Sequence, residues 1–267
     1  MRAAIWGCRG SLSTPGERTV KYGGNTSCVE VRSASGRLVI LDAGTGIRPL
    51  GDTLADGPEQ IDLVLTHLHL DHVEGLGFFA PLFDEARSIT IWGPHQAGSS
   101  LAARIGAYLS PPFFPVDFAK LPARIEFVEC GEETWQLDSV TITSARVAHP
   151  GDTLAYRLEE NGRTFAFIPD NELGADADSG LELAEGADVL FHDAQYTQEE
   201  YSSRAGWGHS SIEDLAVFLR AASPARAVMF HHDPWHSDGQ VDAMHDVVEE
   251  LAGRVLDVGA EGAVYDV

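Results

Sequence analysis

Residues 62–72, Asp62-Leu63-Val64-Leu65-Thr66-His67-Leu68-His69-Leu70-Asp71-His72, constrain this chain more than any other stretch. A short apolar, β-rich run over 63–66 leads directly into a turn that carries three imidazoles and a carboxylate within six positions. The pattern His-x-His-x-Asp-His arises by chance in roughly one in a thousand sequences of this length and composition, so it needs a cause. Zinc-like divalent cations bind neutral imidazole nitrogen and carboxylate oxygen, and ligands this close together can face one point from an irregular turn. One cation cannot take all four side chains and keep a position open for a substrate, so two adjacent cations are the natural arrangement. The competing explanation is a loop that happens to carry histidines, and the strand-then-turn context argues against it.

Around this turn, β-rich runs recur at 3–6, 27–32, 38–42, 63–66, 89–92, 125–129, 140–148, 154–158, 164–168, 189–192, 227–231 and 263–267. Helical patterns are fewer, over 73–83, 96–106, 181–184, 212–222 and 240–252, the fourth preceded by the capping serines Ser210 and Ser211. That is too many strands for one sheet, and two packed sheets with helices outside them satisfy the count. Further candidate ligands also follow strands: His149 after 140–148, Asp170 after 164–168 and His231 after 227–230. Strand ends hold side chains rigidly while leaving loops open to a substrate.

At 267 residues and 44% hydrophobic, the chain suits one large domain over 1–267. Its 41 acidic residues against 18 basic ones give a net charge of −23, which opposes a nucleic-acid backbone that must be met by Lys and Arg. Long nucleic acid is therefore a poor substrate expectation. Cys8, Cys28 and Cys130 are odd in number and scattered, which fits reduced thiols in the core. No membrane-spanning run or signal-peptide hydrophobic region is visible, and a cytoplasmic location is the simplest expectation.

The segment from Thr66 to His72, followed by Gly75, resembles the signature of the metallo-β-lactamase superfamily of two-metal hydrolases. Further matches are Gly23-Gly24-Asn25-Thr26-Ser27, Leu41-Asp42-Ala43-Gly44, His149-Pro150, Asp170, Gly206-Trp207-Gly208-His209-Ser210 and Phe230-His231-His232-Asp233-Pro234. Their order is similar to that of the phosphodiesterase branch, which includes tRNA 3′-processing endonucleases (the tRNase Z type) and cyclic phosphodiesterases. The resemblance implies an α+β fold, a four-layer αβ/βα sandwich of two mixed β-sheets packed face to face, with metals at one edge.

It also implies a ligand set. His67, His69 and His149 would hold the first of two divalent cations, and Asp71, His72 and a final histidine the second, with Asp170 bridging. Zinc is the first expectation, and manganese or iron suits the same donors. A hydroxide between the cations would be the nucleophile. The final histidine is His231 or His232, which point to opposite faces if the strand continues; His231 is preferred as the first residue after the apolar run. Glu172 and Asp152 compete with Asp170 for the bridge.

Asp71 and His209 are the expected catalytic residues. His209 precedes a helix and suits a proton donor to a departing alkoxide, oriented by Asp193 or Glu172. Arg9, Asn25 and Ser27 lie on glycine-rich turns that suit a phosphate oxyanion, although ordinary turn geometry explains those glycines equally. Asp42 is expected to fix backbone amides beneath the metals. His192, Asp193 and His232 are expected to support the ligands or face the substrate. His95, His236 and His245 are expected at the surface.

The resulting expectation is a hydrolase of phosphodiester bonds in a small substrate, cyclic nucleotides first. The alternatives are a lactone or thioester hydrolase, a tRNA 3′-processing endonuclease and an inactive metal-binding scaffold. Pairing as a homodimer, as many relatives do, is open. The aromatic and proline-rich residues 107–118 could be a lid, a dimer contact or a loop capping the core.

Overall fold

The computed structural model describes residues 1–267. The first sheet runs β1 (Arg2–Gly7), β2 (Cys28–Arg32), β3 (Leu38–Leu41), β4 (Gln60–Val64), β5 (Ser88–Pro94) and β6 (Arg124–Cys130), with β14 (Val264–Asp266) outside β1. The second runs β7 (Thr134–Leu137), β8 (Val140–Arg146), β9 (Leu154–Glu160), β10 (Arg163–Ile168), β11 (Val189–Asp193), β12 (Arg226–Phe230) and β13 (Asp257–Val258). Both sheets are mixed. Strands β3 to β6 are mutually parallel, as are β10 to β13, and the remaining pairs are antiparallel.

The strand sequences explain the layering. In β3, Val39 and Leu41 point into the core between the sheets, while Leu38 and Ile40 pack beneath helices α1 (Ile47–Asp52) and α3 (Leu101–Tyr108). In β10, Phe165 and Phe167 enter the central core, while Ala166 and Ile168 pack beneath α4 (Leu181–Ala184), α6 (Ile212–Ala222) and α7 (Asp238–Ala252). Strands covered on both faces have no polar side to show, hence the unbroken apolar runs. Phe191 lies among Phe165, Phe230 and Tyr265 at ring separations of 4.9, 5.7 and 5.1 Å. Burying each such ring contributes about 2–3 kcal/mol. The four-layer sandwich of two mixed sheets is thus observed, and the three cysteines are free and buried. No helix is long and apolar enough to cross a membrane.

Several elements depart from expectation. The helix expected over 73–83 is instead α2 (Leu70–Val73) followed by single turns at Leu76–Phe78 and Ala80–Phe83. The break lies at Gly75, where a Cβ would sit 2.1 Å from the Gly44 carbonyl oxygen, so backbone packs on backbone. Helix α3 begins at 101 rather than 96, because the Ser100 side chain caps it by accepting from Ala103 N–H. Strands β7 and β13 and helices α1 and α5 (Gln198–Arg204) were not legible in the pattern; β13 has two residues and α1 contains Pro49 and Gly51. Within 107–118, Phe114 and Phe118 pack against the core under the first sheet's helices, as a capping loop does, and Phe113 stays 80% exposed.

Parallel strands end on one side of each sheet, and the chemistry collects there. Asp42 follows β3, His67 to His72 follow β4, Asp170 follows β10, Asp193 ends β11 and His231 follows β12. Asp42 and His231 have φ of 60° and 59°, a left-handed backbone that turns each side chain sharply off its strand.

Candidate metal centre

Two sets of ligand atoms converge at this edge. His67, His69 and His149 form one, with His149 Nε2 3.0 Å from His69 Nδ1. Asp71, His72 and His231 form the other: His231 Nε2 is 3.1 Å and His72 Nε2 3.3 Å from Asp71 Oδ2. Asp170 lies between them. Its Oδ2 is 3.8 Å from both His67 Nε2 and His149 Nε2, and its Oδ1 is 3.1 Å from His72 Nε2 and 3.4 Å from His231 Nε2.

The outer ring nitrogens fix the tautomers. His72 Nδ1 donates to Asp42 Oδ2 at 2.7 Å, His149 Nδ1 to the Gly208 carbonyl at 2.8 Å and His231 Nδ1 to Gln195 Oε1 at 2.8 Å. His67 Nδ1 is 3.0 Å from Thr66 Oγ1, which itself reaches Asp42 Oδ1 at 2.9 Å. A second nitrogen anchored in this way leaves Nε2 as a bare acceptor aimed inward. His72 Nε2 and His231 Nε2 then face each other at 3.3 Å with carboxylate oxygens beside them, a group of lone pairs that a proton or a cation must share. His67 Nε2 and Asp170 Oδ1 are buried without any hydrogen-bond partner. Unmet acceptors cost about 1–3 kcal/mol each, and a divalent cation among them satisfies the whole group. The residues therefore fit a pair of cations, with Asp170 turned to both.

The electrostatics agree. Burial pushes His67, His69 and His149 down, keeping them in the neutral form that offers a lone pair. Burial opposes ionisation of Asp170, but His231, His72 and His67 outweigh it and hold the carboxyl well below the usual carboxylate range. His72 goes the other way: burial lowers it, but Asp170, Asp71 and Asp42 together raise it well above the ordinary imidazole value. The site attracts positive charge.

His209 stands beside the cluster, its ring centroid 5.1 Å from that of His149 and 5.0 Å from that of His231. Its Nδ1 donates to Asp193 Oδ2 at 2.8 Å, so Asp193 and not Glu172 orients it. Glu172 instead accepts from Gly206 N–H, Gly208 N–H and Tyr201 Oη at 2.6, 2.7 and 2.9 Å, pinning the glycine turn before His209. Asp152 lies apart from both sets, paired with Arg146 at 2.6 Å.

Other expectations need correction. Arg9 is fully buried, and its guanidinium is engaged by the carbonyls of Gly23, Asp233 and His236 and by Asp238, so it offers nothing to a phosphate. Asn25 donates to Glu261 and Ser27 to Asp42, which makes both parts of the scaffold. His232 turns away from the cluster and donates to the Gly259 carbonyl at 2.9 Å. His192 packs on Phe218 beneath the helices and not toward the ligands. His236, expected at the surface, is buried and 2.8 Å from Glu200; His95 is exposed, and His245 is half-buried against the Leu256 carbonyl.

Thr66 and Gly208 stand in the matched segments without a role of their own there, and the structure gives them one, Thr66 against Asp42 and His67 and the Gly208 carbonyl against His149. Sequence reasoning missed Ser11, whose N–H donates to Asp71 Oδ2 at 2.7 Å, and Gln195, whose one signal was its place two residues beyond Asp193 at a strand end.

This edge-on cluster on a four-layer sandwich defines the class. Residues 37–232 match the beta-lactamase superfamily domain family, and the chain belongs to that superfamily of metal-dependent hydrolases, in its ribonuclease Z-like branch. It is 28% identical over 247 residues to a ribonuclease Z of Mycolicibacterium paratuberculosis (strain ATCC BAA-968 / K-10), covering 83% of this chain and 85% of that one. The metallo-beta-lactamase fold protein YhfI from Bacillus subtilis superposes with a TM-score of 0.75 at 15% identity, over 99% of this chain and 98% of that one. The short form of human tRNase Z does so with 0.70 at 19% identity, over 100% and 99%.

Proposed function

We propose that the chain hydrolyses phosphodiester bonds in a small substrate, with a cyclic nucleotide the first candidate. The single observation that carries the reading is Asp170, whose Oδ2 faces His67 and His149 of one set while its Oδ1 faces His72 and His231 of the other. In this reading His67, His69 and His149 hold one divalent cation and Asp71, His72 and His231 the other, zinc first, with manganese or iron suiting the same donors. Two such cations supply Lewis acidity toward a phosphoryl oxygen and make water a competent nucleophile near neutral pH. Because the ligands come from both sheets, residues 1–267 act as one domain.

The chain's own groups do the rest. Ser11 N–H and the anchored imidazoles hold Asp71 and its partners in one geometry. Asp193 accepts a hydrogen bond from His209 Nδ1–H and so favours the imidazolium, whose Nε2 proton would pass to a departing alkoxide. Burial pushes His209 down against the pull of Asp170 and Asp71, which makes the protonated ring a stronger acid and a scarcer one.

A second reading, cleavage of RNA, is supported by the relatives named ribonuclease Z, and stands against the net charge of −23. The test is turnover of bis(p-nitrophenyl) phosphate, a cyclic nucleotide, a lactone, a thioester and a precursor tRNA by protein loaded with zinc or with manganese. Phosphodiester turnover well above both acyl substrates is expected. A faster lactone or thioester reaction overturns the reading, and a precursor tRNA preferred over the small diesters replaces it with the second.

A further inference from the structure

Trp207 is 58% exposed, yet its backbone is among the most tightly held near the site. Glu172, itself buried, accepts from the N–H groups of Gly206 and Gly208 on either side, and Trp207 N–H donates to the Arg204 carbonyl at 3.0 Å. Gly206 and Gly208 have φ of +87° and +92°, a conformation that L side chains rarely adopt. At Gly208 a Cβ would meet His149 Nδ1 at 2.2 Å, so the turn lies directly on a proposed ligand. A large apolar ring displayed on an immobilised turn, two residues from His209, loses little entropy on gripping a flat partner. Leu70, between His69 and Asp71, and Leu12, beside Ser11, are also exposed, at 62% and 56%, and make the adjoining loops apolar.

Charge gives an independent indication. The loops that carry the site, residues 8–16, 66–75, 147–152, 170–173, 194–197, 206–211 and 231–237, contain one Lys or Arg, and it is Arg9. Arg9 is buried and fully engaged by protein acceptors. The same loops carry Asp71, Glu74, Asp152, Asp170, Glu172 and Asp233. Within these loops no side-chain cation is left to meet substrate charge, and the guanidinium just outside them, Arg204, lies over the Tyr196 ring and 3.8 Å from Glu200, an arrangement that favours a singly charged over a multiply charged phosphate.

We propose that Trp207 is the platform on which a planar ring of the leaving alcohol stacks, so that the substrates are singly charged phosphodiesters whose departing group carries a nucleobase or similar aromatic ring. This rests on the phosphodiesterase reading above. Trp207 is a positioning residue: stacking fixes the leaving oxygen near His209, and an indole accepts any base because each presents a π face.

The nucleoside that carries the leaving oxygen, without its phosphate, is the probe. Adenosine and ribose are compared in wild type, Trp207→Phe and Trp207→Ala, as inhibitors of bis(p-nitrophenyl) phosphate hydrolysis and by calorimetric titration of the metal-loaded protein, with tryptophan quenching followed in the wild type. Adenosine is expected to inhibit competitively and quench the wild type while ribose does neither. Trp207→Ala should weaken adenosine by about tenfold or more and Trp207→Phe by less, with bound metal unchanged. Equal adenosine affinity in wild type and Trp207→Ala, or ribose binding as well as adenosine, overturns the platform. Absence of any phosphodiester turnover overturns the underlying reading instead, and calorimetric titration, which needs neither turnover nor the indole signal, then decides the platform on its own.

Discussion

Asp193 Oδ2 and His209 Nδ1 are 2.8 Å apart and buried, and the bond between them fixes the orientation of the His209 ring beside the cluster. Asp193 also accepts from Gln195 N–H and Asn171 N–H, at 2.9 and 3.2 Å, so the carboxylate cannot swing to another partner. Replacing it by asparagine keeps the shape but permits the wrong tautomer. Asp193→Asn and His209→Ala should each lower kcat by about a hundredfold or more with two equivalents of metal retained. Loss of metal in step with activity would move His209 from proton donor to ligand.

The adjacent histidines 231 and 232 separate by function in a second experiment. His231→Ala removes an imidazole 3.1 Å from Asp71 and 3.4 Å from Asp170, and about one of two metal equivalents should be lost by elemental analysis. His232→Ala deletes a buried hydrogen bond to Gly259, so metal content should hold while stability falls by about 1–3 kcal/mol. Greater metal loss in the His232 variant reverses the assignment.

Asp42 touches no second-cation ligand except His72, yet it accepts from Thr66 N–H, Thr66 Oγ1, Ser27 Oγ and His72 Nδ1. Asp42→Ala releases both the turn and the ring. Metal affinity, read by competition with a chromogenic chelator, should fall about 10–100-fold. An unchanged affinity would confine Asp42 to the backbone.

How much of this was legible beforehand follows from where each signal sits. The ligand turn, the apolar strands and helix α6 announce themselves because burial on one or two faces writes a periodic pattern. His231 could be preferred over His232 only through the strand that precedes it, and its left-handed φ of 59° was invisible. Arg9 misled because a glycine-rich turn with an arginine suits an anion equally well whether the guanidinium faces out or in. Gln195, Thr66 and Gly208 act through hydrogen bonds from neutral groups, which leave no charge pattern. The broken helix near Gly75 depends on contact with Gly44, a pairing across 31 positions that periodicity along the chain does not contain.

Buried neutral histidines away from the cluster predict the acid response. Burial pushes His192 down to about 4, against an ordinary value near 6.5. Below pH 6.5 the unfolded chain takes up this proton and the folded one does not, so stability is full above about 6.5, falls as pH drops and has lost this contribution by about 4. The shift corresponds to roughly 3 kcal/mol. Urea unfolding of chelator-treated protein should show a shallower decline between pH 6.5 and 4 in His192→Gln than in wild type. Parallel declines would assign acid sensitivity to other groups.

Ionic strength distinguishes the two substrate readings without a structure of a complex. A polyanionic RNA held by Lys and Arg contacts releases counterions, so its affinity falls steeply with salt, with log K against log salt sloping at about −0.7 per phosphate contacted on a single strand. A small singly charged diester approaching a protein of net charge −23 is repelled at long range, and salt screens that repulsion as the Debye length shrinks from about 30 Å at 0.01 M to about 10 Å at 0.1 M. For bis(p-nitrophenyl) phosphate, kcat/KM should therefore hold steady or rise by up to a few-fold over that range at fixed metal occupancy. A fall of tenfold or more would reveal a cationic surface that the buried Arg9 and the acidic loops do not provide, and would shift the balance toward RNA.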